Sequence, residues 1–177
     1  LISLNTITII IGLISIILVV TYPFMKRITH WPQLFLGITF NWGVIMGWTS
    51  VSENLSPVIF MIYLSSIFWT LGYDTVYGYQ DIVDDKIIGI KSTAVLFEKY
   101  PKTAIYTFYI ISFLLMFMAM IWIGSSYKTF LVFLCAVMLG IVLLGKLNLR
   151  EVQSCASFFL ANKYIGFLVV LALALSI

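Results

Sequence analysis

Charge is what this chain has least of. Its 177 residues hold 10 Lys and Arg and 7 Asp and Glu, 10% in all, against 62% hydrophobic residues. With a mean hydropathy of +1.10, that shortage excludes an ordinary soluble domain, in which roughly a quarter of the residues are charged. No nucleic-acid partner is expected. The single histidine, His30, supports neither a metal nor an acid-base assignment. Two cysteines, Cys135 and Cys155, are too few and too isolated for a disulfide framework or a metal set. Repeats, linkers and low-complexity tracts are missing. A positive flank and a small-residue cleavage site are also missing at the amino terminus, which weighs against a signal peptide over residues 1–21.

What is present is a series of long apolar runs. A bilayer span needs about 20 mainly apolar residues, and six windows meet that need: 7–24, 34–51, 55–72, 104–123, 130–144 and 158–177. The fifth is the shortest, and Asn41 with Gly37, Gly43 and Gly47 lowers the hydropathy of the second. The fold class expected is all-α, a polytopic transmembrane helix bundle forming one domain over residues 1–177. Short cytoplasmic loops carry the positive excess. Lys26 and Arg27 follow span one; Lys86, Lys91, Lys99 and Lys102 follow span three; Lys146, Arg150 and Lys163 are assigned to the connection after span five. Lys128 alone falls on the alternate face. The loop after span three is therefore expected to be cytoplasmic and both termini non-cytoplasmic. All acidic residues except Glu53 share the cationic face. A chain that opens on Leu1 at the opposite face reads as truncated.

Two loops carry the chemistry. Residues 73–93, YDTVYGYQDIVDDKIIGIKST, gather Asp74, Asp81, Asp84 and Asp85. On a helix, Asp81 and Asp85 are an i,i+4 pair and Asp74 lies two turns back on nearly the same stripe. Carboxylates so crowded need a compensating cation, and hard oxygens at this spacing suit Mg²⁺ shared with a phosphate. An EF-hand is disfavoured, because its alternating acidic positions and closing Glu are missing. The segment also carries Tyr73, Tyr77, Tyr79 and Gln80, then Gly89, Lys91, Ser92 and Thr93, where a cation and hydroxyl donors would meet anionic oxygens. Residues 94–100 are long enough for a short helix across the mouth. Every Asp is expected outside the spans, which argues against an ion pathway. The second loop, TYPFMKRITHWPQ at 21–33, places Tyr22 and Lys26 four residues apart with Arg27 adjacent. Alone, it reads as interfacial anchoring.

Together the two loops say more. YDTVYGYQDIVDDKIIGIKSTAVLF resembles the second aspartate-rich motif of the UbiA family of intramembrane aromatic prenyltransferases, and YPFMKRITHWPQ resembles that family's Tyr-x-x-x-Lys region. The resemblance covers essentially the whole chain. With LGITFNWGVIMGW, the wording is most similar to the branch acting on 4-hydroxybenzoate. The resemblance implies a nine-helix fold in which the six spans are helices four to nine. It implies a first motif, of the Asn-Asp-x-x-x-Asp kind, that these residues do not contain. The chain thus resembles the carboxy-terminal two thirds of such an enzyme, with a separate amino-terminal half as an expected partner; a non-catalytic fragment is the alternative.

The activity implied is Mg²⁺-dependent transfer of a polyprenyl group from its diphosphate to the ring of 4-hydroxybenzoate, in ubiquinone biosynthesis, at a bacterial or mitochondrial inner membrane. Protoheme, homogentisate or a naphthoate are alternative acceptors. Residue by residue, Asp81 and Asp85 would hold Mg²⁺, with Asp74 and Asp84 as further ligands or orienting groups. Lys26, Lys91 and Arg27 would contact the diphosphate. Tyr22 would hydrogen-bond it or stack beside the allylic cation. Asn41 would either line the acceptor pocket or bond between helices, beside a close-packing Gly43-x-x-x-Gly47 pair. The segment 73–100 would form the cytoplasmic aspartate-rich loop and cap, with the polyprenyl tail sheathed by the bilayer-spanning helices.

Overall fold

The computed structural model describes residues 4–52 and 55–176. The expected placements of Leu1, Glu53 and Ile177 lie outside them. Among the described residues, all regular structure is helical. In order these are α1 (Thr6–Thr21), a 3-10 turn (Tyr22–Phe24), α2 (Met25–Ile28), α3 (Pro32–Phe40), α4 (Trp42–Val51) and α5 (Pro57–Gly78), followed by α6 (Ile82–Ile88), α7 (Thr93–Leu96), α8 (Pro101–Ile123), α9 (Tyr127–Lys146) and α10 (Val152–Ala174). Six stretches are long and apolar enough to cross a bilayer: Thr6–Ile28, Pro32–Val51, Pro57–Gly78, Pro101–Ile123, Tyr127–Lys146 and Val152–Ala174. The chain is a multi-pass membrane protein.

Local chemistry sets the boundaries. Asn5 caps α1 by accepting the Thr8 N–H at 2.9 Å. Pro32, Pro57 and Pro101 open their helices, where a missing N–H costs nothing. Gly124, at φ 73°, closes α8 in the left-handed conformation. The second span is not continuous. It breaks at Asn41 (φ −85°, ψ 3°), whose side-chain amide donates to the Gly37 carbonyl at 2.8 Å, Thr70 Oγ1 at 2.8 Å and the Ser66 carbonyl at 3.3 Å. That amide joins the broken turn to α5, a role polar side chains commonly take within membranes.

Three expectations change. The third span does not stop at residue 72: α5 runs to Gly78 because Thr75 and Val76 are fully buried, Thr75 sharing a 2.7 Å hydrogen bond with Thr93. Asp74 is therefore inside a span rather than beyond it. The sixth span starts at Val152, since Cys155 and Phe158 pack into the core. Lys163, which the apolar window 158–177 already contains although its charge is counted with the preceding connection, lies at the middle of α10. Finally, the helix expected over 94–100 is shorter, covering Thr93–Leu96.

α5 is the centre of the bundle, packing against α3, α4, α8 and α10. Close approach does not come from Gly43 and Gly47, where an added Cβ would meet nothing within 4 Å. It comes from Gly72, where a Cβ would stand 2.6 Å from the Tyr109 ring of α8, and from Gly166 of α10, where it would stand 2.6 Å from Trp69. Both aromatic groups are pinned: Tyr109 OH and Trp69 Nε1 each donate to Asn162 Oδ1, and Asn162 Nδ2 donates to the Phe158 carbonyl at 2.8 Å. Ser65 adds a 2.8 Å bond to the Ser112 carbonyl. Such interhelical bonds replace the hydrophobic drive that lipid cancels. Because the Tyr109 ring cannot retreat, Gly72→Ala is expected to destabilise the fold by about 1–3 kcal/mol. Gly47→Ala should stay within about 0.5 kcal/mol. Reversible unfolding in mixed micelles, compared between the two variants, checks this.

Candidate functional site

The polar pocket lies where α2, α3, α5, α6 and α7 meet, at one end of the bundle. Its construction starts with a latch between the two loops. Lys91 N–H donates to the Lys26 carbonyl at 3.1 Å, Lys91 Nζ donates to the Ile28 carbonyl at 3.1 Å, and Thr93 N–H donates to Gln33 Oε1 at 3.0 Å. Gln33 is 5% exposed, so this last bond is internal. The latch brings the Tyr22–Lys26 stretch against the aspartate segment, as their shared membrane face requires.

A cavity of about 150 Å³ results. Asp74 enters it from the end of α5, Asp81 from the residue preceding α6, and Asp85 from the first turn of α6. Facing them are Lys26 and Tyr22, with Gln33, Tyr77 and Ser92 completing the walls. The three carboxylates do not share one helical stripe, because α5 ends at Gly78 and the chain turns through Tyr79 and Gln80 before α6. The break folds α6 back so that both helices present acid to one space.

The charges in the cavity are left unpaired by one another. Among the described residues the ion pair formed is Lys86 to Glu98 at 2.8 Å, between exposed side chains outside the cavity. Lys26 forms none with the carboxylates it faces. Asp85 still feels it: burial pushes the Asp85 carboxyl above its ordinary range, the Lys26 ammonium pulls it back, and Asp81 and Asp84 push it up again.

Other expected residues fall elsewhere. Asp84 and Arg27 are exposed and do not line the cavity. Lys91 is spent on the latch. Asn41 bonds between helices and is absent from the cavity wall. Conversely, Gln33 was not foreseen. Its signal was a polar side chain in the first turn of a membrane helix, directly after Pro32.

No group of three or more His, Cys, Asp or Glu side chains among the described residues converges as a metal site. Mg²⁺ keeps several waters and is bound by one or two carboxylates together with substrate phosphates, so it does not require such a group. The donor set of Asp74, Asp81 and Asp85 fits such sharing.

The structure is a membrane helix bundle with an acid-walled, lysine-faced pocket at one end, and comparison with known proteins gives its class. Residues 1–174 match the model of the UbiA prenyltransferase family, and the chain belongs to that family. It is 39% identical over 180 residues to 4-hydroxybenzoate polyprenyltransferase, mitochondrial, of Rattus norvegicus, covering 99% of this chain and 47% of that protein. It is 37% identical over 178 residues to 4-hydroxybenzoate octaprenyltransferase of Serratia proteamaculans, covering 98% and 60%. The chain thus spans about half to three fifths of these relatives' lengths. The apo structure of a UbiA homolog from Aeropyrum pernix K1 superposes with a TM-score of 0.79 at 18% identity, over 97% of this chain and 64% of that one. This last likeness establishes the fold alone.

Proposed function

We propose that the acidic pocket binds the diphosphate of a polyprenyl donor and that the protein transfers the polyprenyl group to the ring of 4-hydroxybenzoate, a step of ubiquinone synthesis. The observation that carries the reading is that Lys26 and three carboxylates share one cavity without closing into ion pairs. Opposed charges held apart in this way leave room for a ligand bearing both an anion and its counter-cation. The names of the relatives supply the donor and acceptor classes. On this reading residues 1–177 act as one transmembrane domain, with 73–100 as its aspartate-rich cap facing the cytoplasm or matrix.

The chemistry follows from charge. The allylic C–O bond breaks when its electron pair is stabilised on the departing pyrophosphate; the ring carbon beside the acceptor hydroxyl then forms the new C–C bond and releases its proton. Lys26 stabilises the departing charge electrostatically. Tyr22 and Tyr77 offer aromatic faces to the allylic cation at the cavity wall. Mg²⁺, when bound, supplies Lewis-acid neutralisation of the diphosphate, with Asp81 and Asp85 as its first holders and Asp74 beside them. Deeper in the bundle, an apolar cavity of about 360 Å³ reaches Trp69, Ile62 and Phe113. On this reading that cavity takes the isoprenoid tail and keeps out the water that would quench the cation.

The test is direct. The protein in lipid, given Mg²⁺, a polyprenyl diphosphate and 4-hydroxybenzoate, should yield the ring-prenylated acid by mass spectrometry. A second arm supplies a polypeptide carrying an Asn-Asp-x-x-x-Asp segment. Product only in that arm identifies a two-part site. No product in either arm overturns the reading.

A further inference from the structure

Lys163 is the residue whose position demands an explanation. It is the twelfth of the 23 residues of α10, which at 1.5 Å per residue places it about 16 Å from either helix end, farther than a lysine stem extends. It is exposed, and its Nζ lies 5.0 Å from the centroid of the neighbouring Tyr164 ring. No carboxylate of the described residues lies within ion-pair distance. Nor does it serve the packing beside it: the Asn162 side chain is already satisfied by Trp69, Tyr109 and Phe158. Ionisable groups at this depth are costly and mark ligand or ion sites.

Its surroundings name the ligand. One turn nearer the pocket, on the same face of α10, stands Phe159. The Phe159 ring packs 4.7 Å from Tyr77 and 5.5 Å from Tyr73, and Tyr77 is itself a wall of the acidic cavity. An aromatic surface therefore runs from the cavity down to Lys163. The Trp69 to Asn162 bond sets residues 69 and 162 level. Asp74 is five residues further along α5, about 7 Å nearer the mouth, an interval comparable to the length of one benzoate. We infer that Lys163 binds the carboxylate of a planar aromatic acid whose ring lies against Phe159, Tyr73 and Tyr77, with its reactive edge directed toward the diphosphate pocket. The ring gains edge and offset stacking, and the ion pair gains strength from its low-dielectric setting. This deepens the proposed function and rests on its acceptor being an aromatic acid.

The experiment compares 4-hydroxybenzoate with its methyl ester by calorimetric titration into the protein in phosphatidylcholine nanodiscs. Wild type should favour the acid by about tenfold or more, as expected for a hydrogen bond to a charged group. Lys163→Met should erase that preference while leaving ester affinity unchanged, and Lys163→Arg should restore it. In the transfer assay, Lys163→Met should raise the acceptor KM about tenfold and leave the KM for polyprenyl diphosphate alone. A preference for the acid that survives Lys163→Met, equal weakening of acid and ester, or no binding of either by wild type overturns the inference; a lipid-facing lysine gives one of these. Acid binding that depends on Lys163 without any prenylated product sinks the proposed function and spares this site. Product formation indifferent to Lys163→Met does the reverse.

Discussion

Changing Asp81 and Asp85 together to asparagine is expected to cut prenyl transfer about a thousandfold, because each change removes a charge that acts where the leaving group departs, and single electrostatic groups of this kind are worth about 10²–10³ in rate. The fold should survive. Neither side chain makes a hydrogen bond or ion pair with the described residues, and the two repel each other and Asp84. Asp84→Asn is the internal control: it is exposed and off the cavity wall, so its rate should stay within about twofold of wild type. Radiolabelled product formation, alongside thermal unfolding of each variant, checks both statements. A larger loss in Asp84→Asn than in the double variant would reassign the ligands.

Lys26→Met is expected to lower kcat/KM for the polyprenyl diphosphate about a hundredfold, the cost of one pocket cation facing a developing anion. Its pH profile should move as well. Asp85 is already held above the ordinary carboxylate range by burial, and Lys26 is the influence that lowers it. Without Lys26 the carboxyl keeps its proton to higher pH, so the acidic limb of the rate profile should shift upward. Lys91→Met should leave that limb in place, because Lys91 Nζ is engaged by the Ile28 carbonyl rather than by the pocket. Initial rates across pH for both variants separate an electrostatic role from a tethering one.

Much of this architecture is legible in the sequence. Hydropathy gives six spans, because lipid allows only helices with internally satisfied backbones, and the alternation of cationic loops puts Lys26 and the aspartates on one face. What pattern reading misses is where helices stop. Asp74 looks like a loop residue because Tyr73 to Gly78 is polar, yet Thr75 and Val76 are buried and hold the helix together. Lys163 is counted with the loop cations on its charge alone, although the last apolar window already spans it. What the largely polar stretch 152–157 hides is the start of that helix at Val152, which the buried face of Cys155, Phe158 and Asn162 fixes. The Gly43 and Gly47 spacing suggests a packing seam, whereas the seam is made by Gly72 and Gly166. The identity of the ring facing a glycine is a long-range fact that no local pattern contains. The same holds for Lys91, whose cationic head is taken by a carbonyl 63 residues away.

That latch also has a meaning in time. Gln33 and Thr93 are 60 residues apart, and at about 5–20 residues per second a ribosome delivers the second some seconds after the first. During that interval Lys26 has none of Asp74, Asp81 and Asp85 to face. It stands as a bare positive charge at the end of a newly inserted helix, the feature that insertion machinery reads when it fixes the direction of a span. One side chain would then serve twice, first telling the nascent chain which way to thread and afterwards, once the later segment has closed over it, becoming the cationic wall of the pocket.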